Sequence, residues 1–350
     1  METHAVPRDR LMVPHHRFQR PSLSSVKGRF EKVHEASEKV YHGGGVWGRR
    51  MLGEAYPPMY RNTAWRVIGY AEALKVEDNE LYRERLMEGG EYLLREQQAN
   101  GSYLWWCYET HGHSDTDHLL YCTANPGVAL LKVYRLTRDE RFLAASGRAA
   151  DWAARHGISR NNNYNSFAVW HLCEHYRMTG ERKHLEAAIH KNREGAFPRQ
   201  LPNGAWAGHN AWIFYHALII RGFAAIYGAL PDGHETRREL RGPTIMALNH
   251  LIEEQRENGH FRSCFDPEEW EKSRDPKSHY SVHKPDIFDA CALQALVCAQ
   301  DWTDFDMTNA LCGALASPMP EDLDGQGMPH LAYGAGYRWL AGQKDERARR

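Results

Sequence analysis

No run in this sequence approaches the ~18 consecutive apolar residues of a bilayer-spanning helix, and Met1 to Val13 lack the unbroken apolar stretch of a secretory signal. A cytoplasmic location is therefore the default expectation, replaced by a secreted or periplasmic one if a leader was trimmed. Neither sign of charge predominates. With 44 Lys and Arg against 45 Asp and Glu, the formal net charge is -1, so broad attraction to nucleic acid or to an anionic membrane is not expected. The seven cysteines, at 107, 122, 173, 264, 291, 298 and 312, make an odd count without zinc-type or redox-type spacing. Several fall within apolar helical runs and read as reduced core residues. No Pro/Gly/Ser-rich tract or long charge run divides the chain, and strict apolar–polar alternation is scarce, so strands should be few.

What is present is helical and repetitive. A 42% hydrophobic share with 11 Trp supplies a core, and a 25% charged share is ordinary for a globular chain. Tyr134-Arg-Leu-Thr137 aligns with Tyr176-Arg-Met-Thr179, forty-two residues on, as Leu143 and Ala145 align with Leu185 and Ala187. A period of that length means one helix, a turn and a second helix per unit. Gly180 stops one such helix, and Thr137 followed by Asp139 starts the next. A finer repeat, Gln-x-x-x-Gly-x-aromatic, spans Gln97 to Tyr103, Gln200 to Trp206 and Gln255 to Phe261. Its glycine can end a helix in a left-handed turn while the aromatic packs back over the end, a structural staple rather than chemistry.

Periodicity predicts helices over 23–41, 58–75, 78–98, 117–136, 139–156, 163–179, 181–195, 208–229, 234–256, 282–302, 306–316 and 328–341. Those near 78, 139, 181 and 234 are rich in Arg and Glu and suit an outer ring, while those near 117, 163, 208 and 282 are more apolar all round and suit an inner one. Polar groups recur where these inner helices open: Asp115-Thr-Asp117-His118, Asn161 to Asn165 with Tyr164, His209-Asn210, and Tyr280 with His283. Caps alone require a single Asn, Asp or Ser. The 21 His also exceed the usual number, and imidazole changes charge near neutral pH; His15, His16, His190 and His234 read as surface residues.

This pattern resembles the all-α (α/α)6 toroid of six helical hairpins, shared by glycoside hydrolases, polysaccharide lyases, sugar epimerases, terpene cyclases and protein prenyltransferases. It would leave residues 1–22 as an N-terminal extension and place a single toroid over 23–345. In such toroids the cleft lies at the mouth formed by the inner-helix starts. Helix starts present free N–H groups and a positive dipole end, which favours a carboxylate, and Trp105, Trp106, Trp206 and Trp212 offer flat faces for sugar rings. The chain looks most like polysaccharide lyases of the alginate or glucuronan type, which use Tyr and His as acid and base and an Asn or His to grip the carboxylate. Carried over by place, that implies Tyr280 or Tyr164 as the phenol and His209 as base or neutraliser. Asn163, Asn165, Asn210, His118 and His283 would bind substrate, with His216 two turns beyond His209 and Arg221 completing the lining. The implied partner is an acidic oligo- or polysaccharide, and no organic cofactor is needed.

Other readings remain open. A glycosidase needs two carboxylates roughly 5 to 10 Å apart, for which Glu109, Asp115, Asp117 and Asp286 are candidates; a sugar epimerase or a noncatalytic carbohydrate-binding toroid would use the same mouth. Asp115-Thr-Asp117-His118 falls one residue short of the Asp-x-Asp-Asp motif of terpene cyclases. His111, His113, Asp115, Asp117 and His118 offer enough ligands for a metal, and Asp289 with Cys291 and His330 faintly resembles the zinc set of protein prenyltransferases.

Overall fold

The computed structural model describes residues 9–12, 14–51, 54–56, 60–104, 116–262, 264, 285–319, 323 and 327–348. Among these, twelve α-helices run in chain order: α1 (Leu23–Glu38), α2 (Tyr60–Ala73), α3 (Glu80–Glu96), α4 (Thr116–Thr137), α5 (Glu140–Arg155), α6 (Asn162–Thr179), α7 (Arg182–Gly195), α8 (Ile213–Ala229), α9 (Glu235–Glu253), α10 (Pro285–Trp302), α11 (Thr308–Ala316) and α12 (Gly327–Ala348). A short antiparallel hairpin, β1 (Arg49–Met51) with β2 (Glu54–Tyr56), pairs Arg49 with Tyr56. The expected helices are all present. The exception in detail is 208–229, which breaks at Trp212: Gly208–Ala211 form a 3-10 turn, and the extended Trp212 backbone bridges Cys264 before α8 begins.

The even-numbered helices close a ring, α2 on α4, α4 on α6, α6 on α8, α8 on α10, α10 on α12 and α12 back on α2. Each odd-numbered helix packs outside: α3 on α2, α5 on α4, α7 on α6, α9 on α8, α11 on α10, and α1 on α12. This is an (α/α)6 toroid. Composition explains the division. Every residue of α8 from His216 to Tyr227 is buried, as an inner helix requires, whereas α5 buries Phe142, Ala145, Ser146, Ala149, Ala150 and Ala153, a single stripe at three- and four-residue spacing.

Local chemistry sets where the helices start. The side chains of Asn79, Asp139 and Asn161 accept from the backbone amides of Tyr82, Arg141 and Asn163. His234, expected merely at the surface, caps α9 by accepting from the Thr236 amide at 3.2 Å.

The Gln-x-x-x-Gly-x-aromatic repeat ties neighbouring outer helices together. Gln97 Nε2 donates to the Gly101 carbonyl of its own turn at 3.1 Å and to Ala145 on α5 at 2.8 Å. Gln200 does the same with Gly204 and with Pro243 on α9, and Gln255 with Gly259 and with Ala310 on α11. The three glycines have φ of 92°, 87° and 87°. A Cβ on Gly204 would lie 2.2 Å from the Met246 carbonyl oxygen, so the turn demands glycine for both conformation and approach. Tyr103 and Trp206 then donate to carbonyls of Leu93 and Ala196. Between α5 and α7 a different group serves: buried Lys191 donates to the His156 and Gly157 carbonyls at 2.5 and 3.2 Å.

The shorter repeat marks the ends of inner helices. Thr137 and Thr179 hydroxyls bond back to Val133 and His175 carbonyls and accept from the Asp139 and Glu181 amides that open the next outer helices. Thr303 repeats the device at the end of α10. Ahead of α1, the chain is strapped over the outer ring, with Asn249 bonding Arg10 and Met12 and Asn309 bonding His16 and Phe18.

Candidate active site at the inner-helix starts

Since each inner helix returns against the outer helix before it, all six inner helices start at one end of the ring, reached through the longer connections. The loop into α6 is held by one serine. Ser159 Oγ donates to Asp117 on α4 at 2.8 Å, and its amide and carbonyl are both bonded by the Asn165 carboxamide at 2.9 Å. Arg199 adds bonds to the Arg160 carbonyl and to Asn162 Oδ1. Thus Asn165, expected to bind substrate, is fully buried with both ends of its amide spent on the loop; it shapes the rim without facing it.

Asn163 lies two residues beyond the cap, Asn161. Its Nδ2 donates to Asn161 Oδ1 at 2.7 Å and to Asn210 Oδ1 at 3.0 Å, joining α6 to the turn before α8. Its own Oδ1 is buried and has no partner among the described residues. Because Asn210 accepts through oxygen, its amide nitrogen is turned away from Asn163. On one side of this bridge the His209 ring lies over Tyr215, centroids 3.8 Å apart. On the other, Tyr164 stands 5.3 Å from His118 and 5.0 Å from Tyr121. Arg61, at the start of α2, covers the Tyr121 and Trp65 rings at 5.3 and 5.4 Å. Burial pushes the Tyr121 phenol well up, leaving Tyr164, half-buried, as the accessible phenol of the pair.

The structure therefore brings together His209, Asn210, Asn163, Tyr164 and His118. Besides Asn165, it removes four expected residues from the mouth. Trp206 and Trp212 are fully buried and have no open face for a sugar; Trp206 closes the staple over α7. His216 is fully buried and donates through Nε2 to the Ala247 carbonyl of α9 at 3.0 Å. The break at Trp212 puts His209 outside α8, so the two histidines do not share a helical face. Burial, with His250 nearby, lowers His216 to about 3. Arg221 is also fully buried, bonded to Gln294 at 2.9 Å and stacked 3.8 Å from the Trp170 ring centroid.

Tyr280, His283, Trp105, Trp106, Glu109, His111, His113 and Asp115 lie outside the described residues, as does the side chain of Asp286. Of the expected metal cluster, Asp117 is committed to Ser159 and the Arg160 amide. The zinc-like set is likewise committed elsewhere: Asp289 bonds His260 and the Phe261 amide, and His330 packs against Tyr70 and Phe30. Among the described residues, His175, Glu181 and His184 could hold a metal, their donor atoms lying within 4.8 Å of one another. They sit where α6 passes into α7, at the other end of the ring. There Lys183 already bonds Glu181 and Asp151 at 3.1 and 2.7 Å.

Arg61, Tyr121 and Tyr215 were not singled out from the sequence. Tyr60-Arg61-Asn62 opens an inner helix just as the other polar segments do, so the same positional rule applied to α2 finds Arg61.

No family model matches this sequence, and no curated protein sequence does either. Solved structures do match. A possible member of the GH105 family from Salmonella enterica superimposes with a TM-score of 0.64 at 14% identity, over 95% of this chain and 97% of that one. A polysaccharide lyase does so at 0.62 and 14%, over 93% and 99%. An unsaturated glucuronyl hydrolase from Streptococcus agalactiae gives 0.61 and 12%, over 96% and 98%. At these identities the shared property is the toroid.

Proposed function

We propose that the mouth of this toroid cleaves a uronic-acid-containing glycan by β-elimination. The observation that carries this reading is the pair of imidazole–phenol couples, His209 with Tyr215 and His118 with Tyr164, flanking the Asn163–Asn210 bridge. Elimination beside a uronate requires a donor set that neutralises the carboxylate, a base that takes the C5 proton, and an acid for the leaving oxygen. The electrons of the C5–H bond become the C4–C5 double bond as the C4–O bond breaks. Asn210 and Arg61 supply the neutral and cationic donors. His209 takes the proton, and the Tyr164 hydroxyl returns one to the departing O4. Tyr280, the first choice on sequence position, is the alternative phenol.

A panel of uronate polymers, followed by ultraviolet absorbance, tests the reading: elimination creates a conjugated double bond and absorbance rises. The second reading, hydrolysis of an already unsaturated uronide, is favoured by the glucuronyl hydrolase among the similar structures. With unsaturated disaccharides as substrate, hydrolysis makes absorbance fall. No rise on any polymer, together with that fall, would replace elimination by hydrolysis.

A further inference from the structure

At the end of the ring opposite the mouth, the axis closes on a cavity of about 160 Å3, several times the ~30 Å3 that a water molecule occupies in the liquid. Five inner helices, α2, α4, α6, α10 and α12, line it with charge. The charges are ordered by depth. Glu72, Glu174 and Lys132 form a buried floor, whereas Lys75 and Arg135 keep 41% and 31% of their side-chain exposure. Arg177 and Arg338 stand with them at the entrance, and Asp301 pairs with Arg338.

The carboxylates are outnumbered. Glu72 is shared by Lys132 at 2.9 Å, Lys75 at 2.8 Å and Arg338 at 2.9 Å. Glu174 is held by Arg135 at 3.0 Å, with Arg177 at 3.9 Å. Five cations thus face three carboxylates around the cavity. A further guanidinium lies behind the wall: Arg221 stacks on Trp170 and bonds Gln294, both lining residues, with no ion-pair partner among the described residues. Its Nε and Nη2, like the Trp170 indole N–H, are buried without a partner among the described residues. Burial, with Lys132 beside it, pushes the Lys75 ammonium down, whereas Lys132, despite its own burial, is held up by Glu72. The surplus of cations lies at the entrance, where Lys75 and Arg135 are partly exposed, and a bound oxyanion balances it.

We propose that this cavity binds a small tetrahedral oxyanion of the phosphate or sulfate class, in a site separate from the mouth. Lys75, Arg135, Arg177 and Arg338 meet it at the entrance, and the paired floor keeps it from passing into the ring. Arg forks suit tetrahedral oxyanions because they donate two parallel bonds. The site does not depend on what the mouth cleaves.

Calorimetric titration with inorganic phosphate and with sulfate, at ionic strength matched by chloride, is the test. We expect saturable binding of one anion per chain, weakened about tenfold or more by Arg135→Met and by Arg177→Met, while turnover at the mouth is unchanged. No heat beyond that of chloride, or affinity retained in both variants, overturns the site. Selenate in crystals of the unaltered protein gives a reading independent of the variants. An anomalous peak among these side chains supports the proposal, and peaks confined to other places refute it.

Discussion

The two ends of the ring are built on opposite terms. At one, inner helices hand over to outer ones through connections such as 138–139 and 180–181, and a threonine hydroxyl performs the same pair of bonds at three of them. At the other, connections such as 196–212 and 254–284 are long, and beyond the Gln–Gly staple they share, the loop into α6 and the turn before α8 are held by side chains of their own. The first end is filled with charge, cations outnumbering carboxylates around its cavity, whereas the second collects imidazole, phenol and amide groups around a buried carboxamide oxygen. Short turns have little freedom and converge on one solution. Long loops can carry groups chosen for something other than closing the chain.

The largest effects should separate these ends by activity. Tyr164→Phe and His209→Ala are expected to lower kcat by ~10² to 10⁴, the range for losing a general acid or base, with the melting temperature held. Parallel assay of Tyr280→Phe decides which phenol acts; if it alone abolishes turnover, the His118–Tyr164 couple is structural.

Next comes Glu72→Ala at the charged end. It strands the buried Lys132 ammonium beside Lys75 and Arg338, and breaking such a network from one side costs about 3 to 5 kcal/mol. Acid should mimic it. Three cations hold the Glu72 carboxyl far below the ordinary carboxylate range despite burial, so its contribution is full above the unfolded pKa and vanishes only as pH falls through the lower folded value. Urea unfolding measures the loss, and kcat of the folded fraction should not move. A large drop in kcat would mean that the two ends are coupled.

A smaller effect belongs to the staples, which end the outer helices on the mouth side. Gly204→Ala puts a Cβ 2.2 Å from the Met246 carbonyl oxygen in a backbone with φ of 87°, a strain of ~1 to 3 kcal/mol. Gly233→Ala, also at positive φ but in open space, should cost less. Equal losses in chemical denaturation would show that close approach adds nothing to the backbone term.

How far the sequence disclosed these differences depends on which end is considered. The toroid, its alternation of rings and both repeats were legible, because a forty-two-residue hairpin must bury one apolar stripe and cap each end the same way. Outer and inner helices differ in how much of their circumference is apolar, which composition records directly. The mouth was only partly legible. Asn163, Asn210 and Tyr164 were found by position at helix starts, but the same rule swept in Asn165, whose amide serves the Ser159 loop. Distinguishing the two needs the partner of each amide: Asn165 turns back on Ser159, six residues away, whereas Asn163 reaches Asn210 across forty-seven, a pairing no local pattern encodes. His216 and Trp212 were misplaced because a backbone pairing with Cys264 broke the helix, again a distant cause. His15, His190 and His234 are exposed, as expected, but nothing in the sequence signalled that His171, His175, His184, His216 and His330 would lie buried in the walls, where small polar rings join helices.

Those wall histidines give the smallest and sharpest comparison. His216 joins α8 to α9 between the two ends, donating Nε2–H to Ala247 with Trp206 and His250 packed beside it. Its folded pKa falls from 6.5 to about 3 through burial, so the unfolded chain binds the proton first. Its stabilising share is therefore complete above the unfolded pKa and declines as pH drops toward the folded one. At a pH about one unit below the unfolded value the loss is about 1.4 kcal/mol. His216→Gln keeps a donor for Ala247 and cannot titrate in this range, so its denaturation midpoint should fall less with acid than that of the parent. Identical pH slopes for the two proteins would place the acid sensitivity elsewhere, with the carboxylates of the closed end as the next suspects.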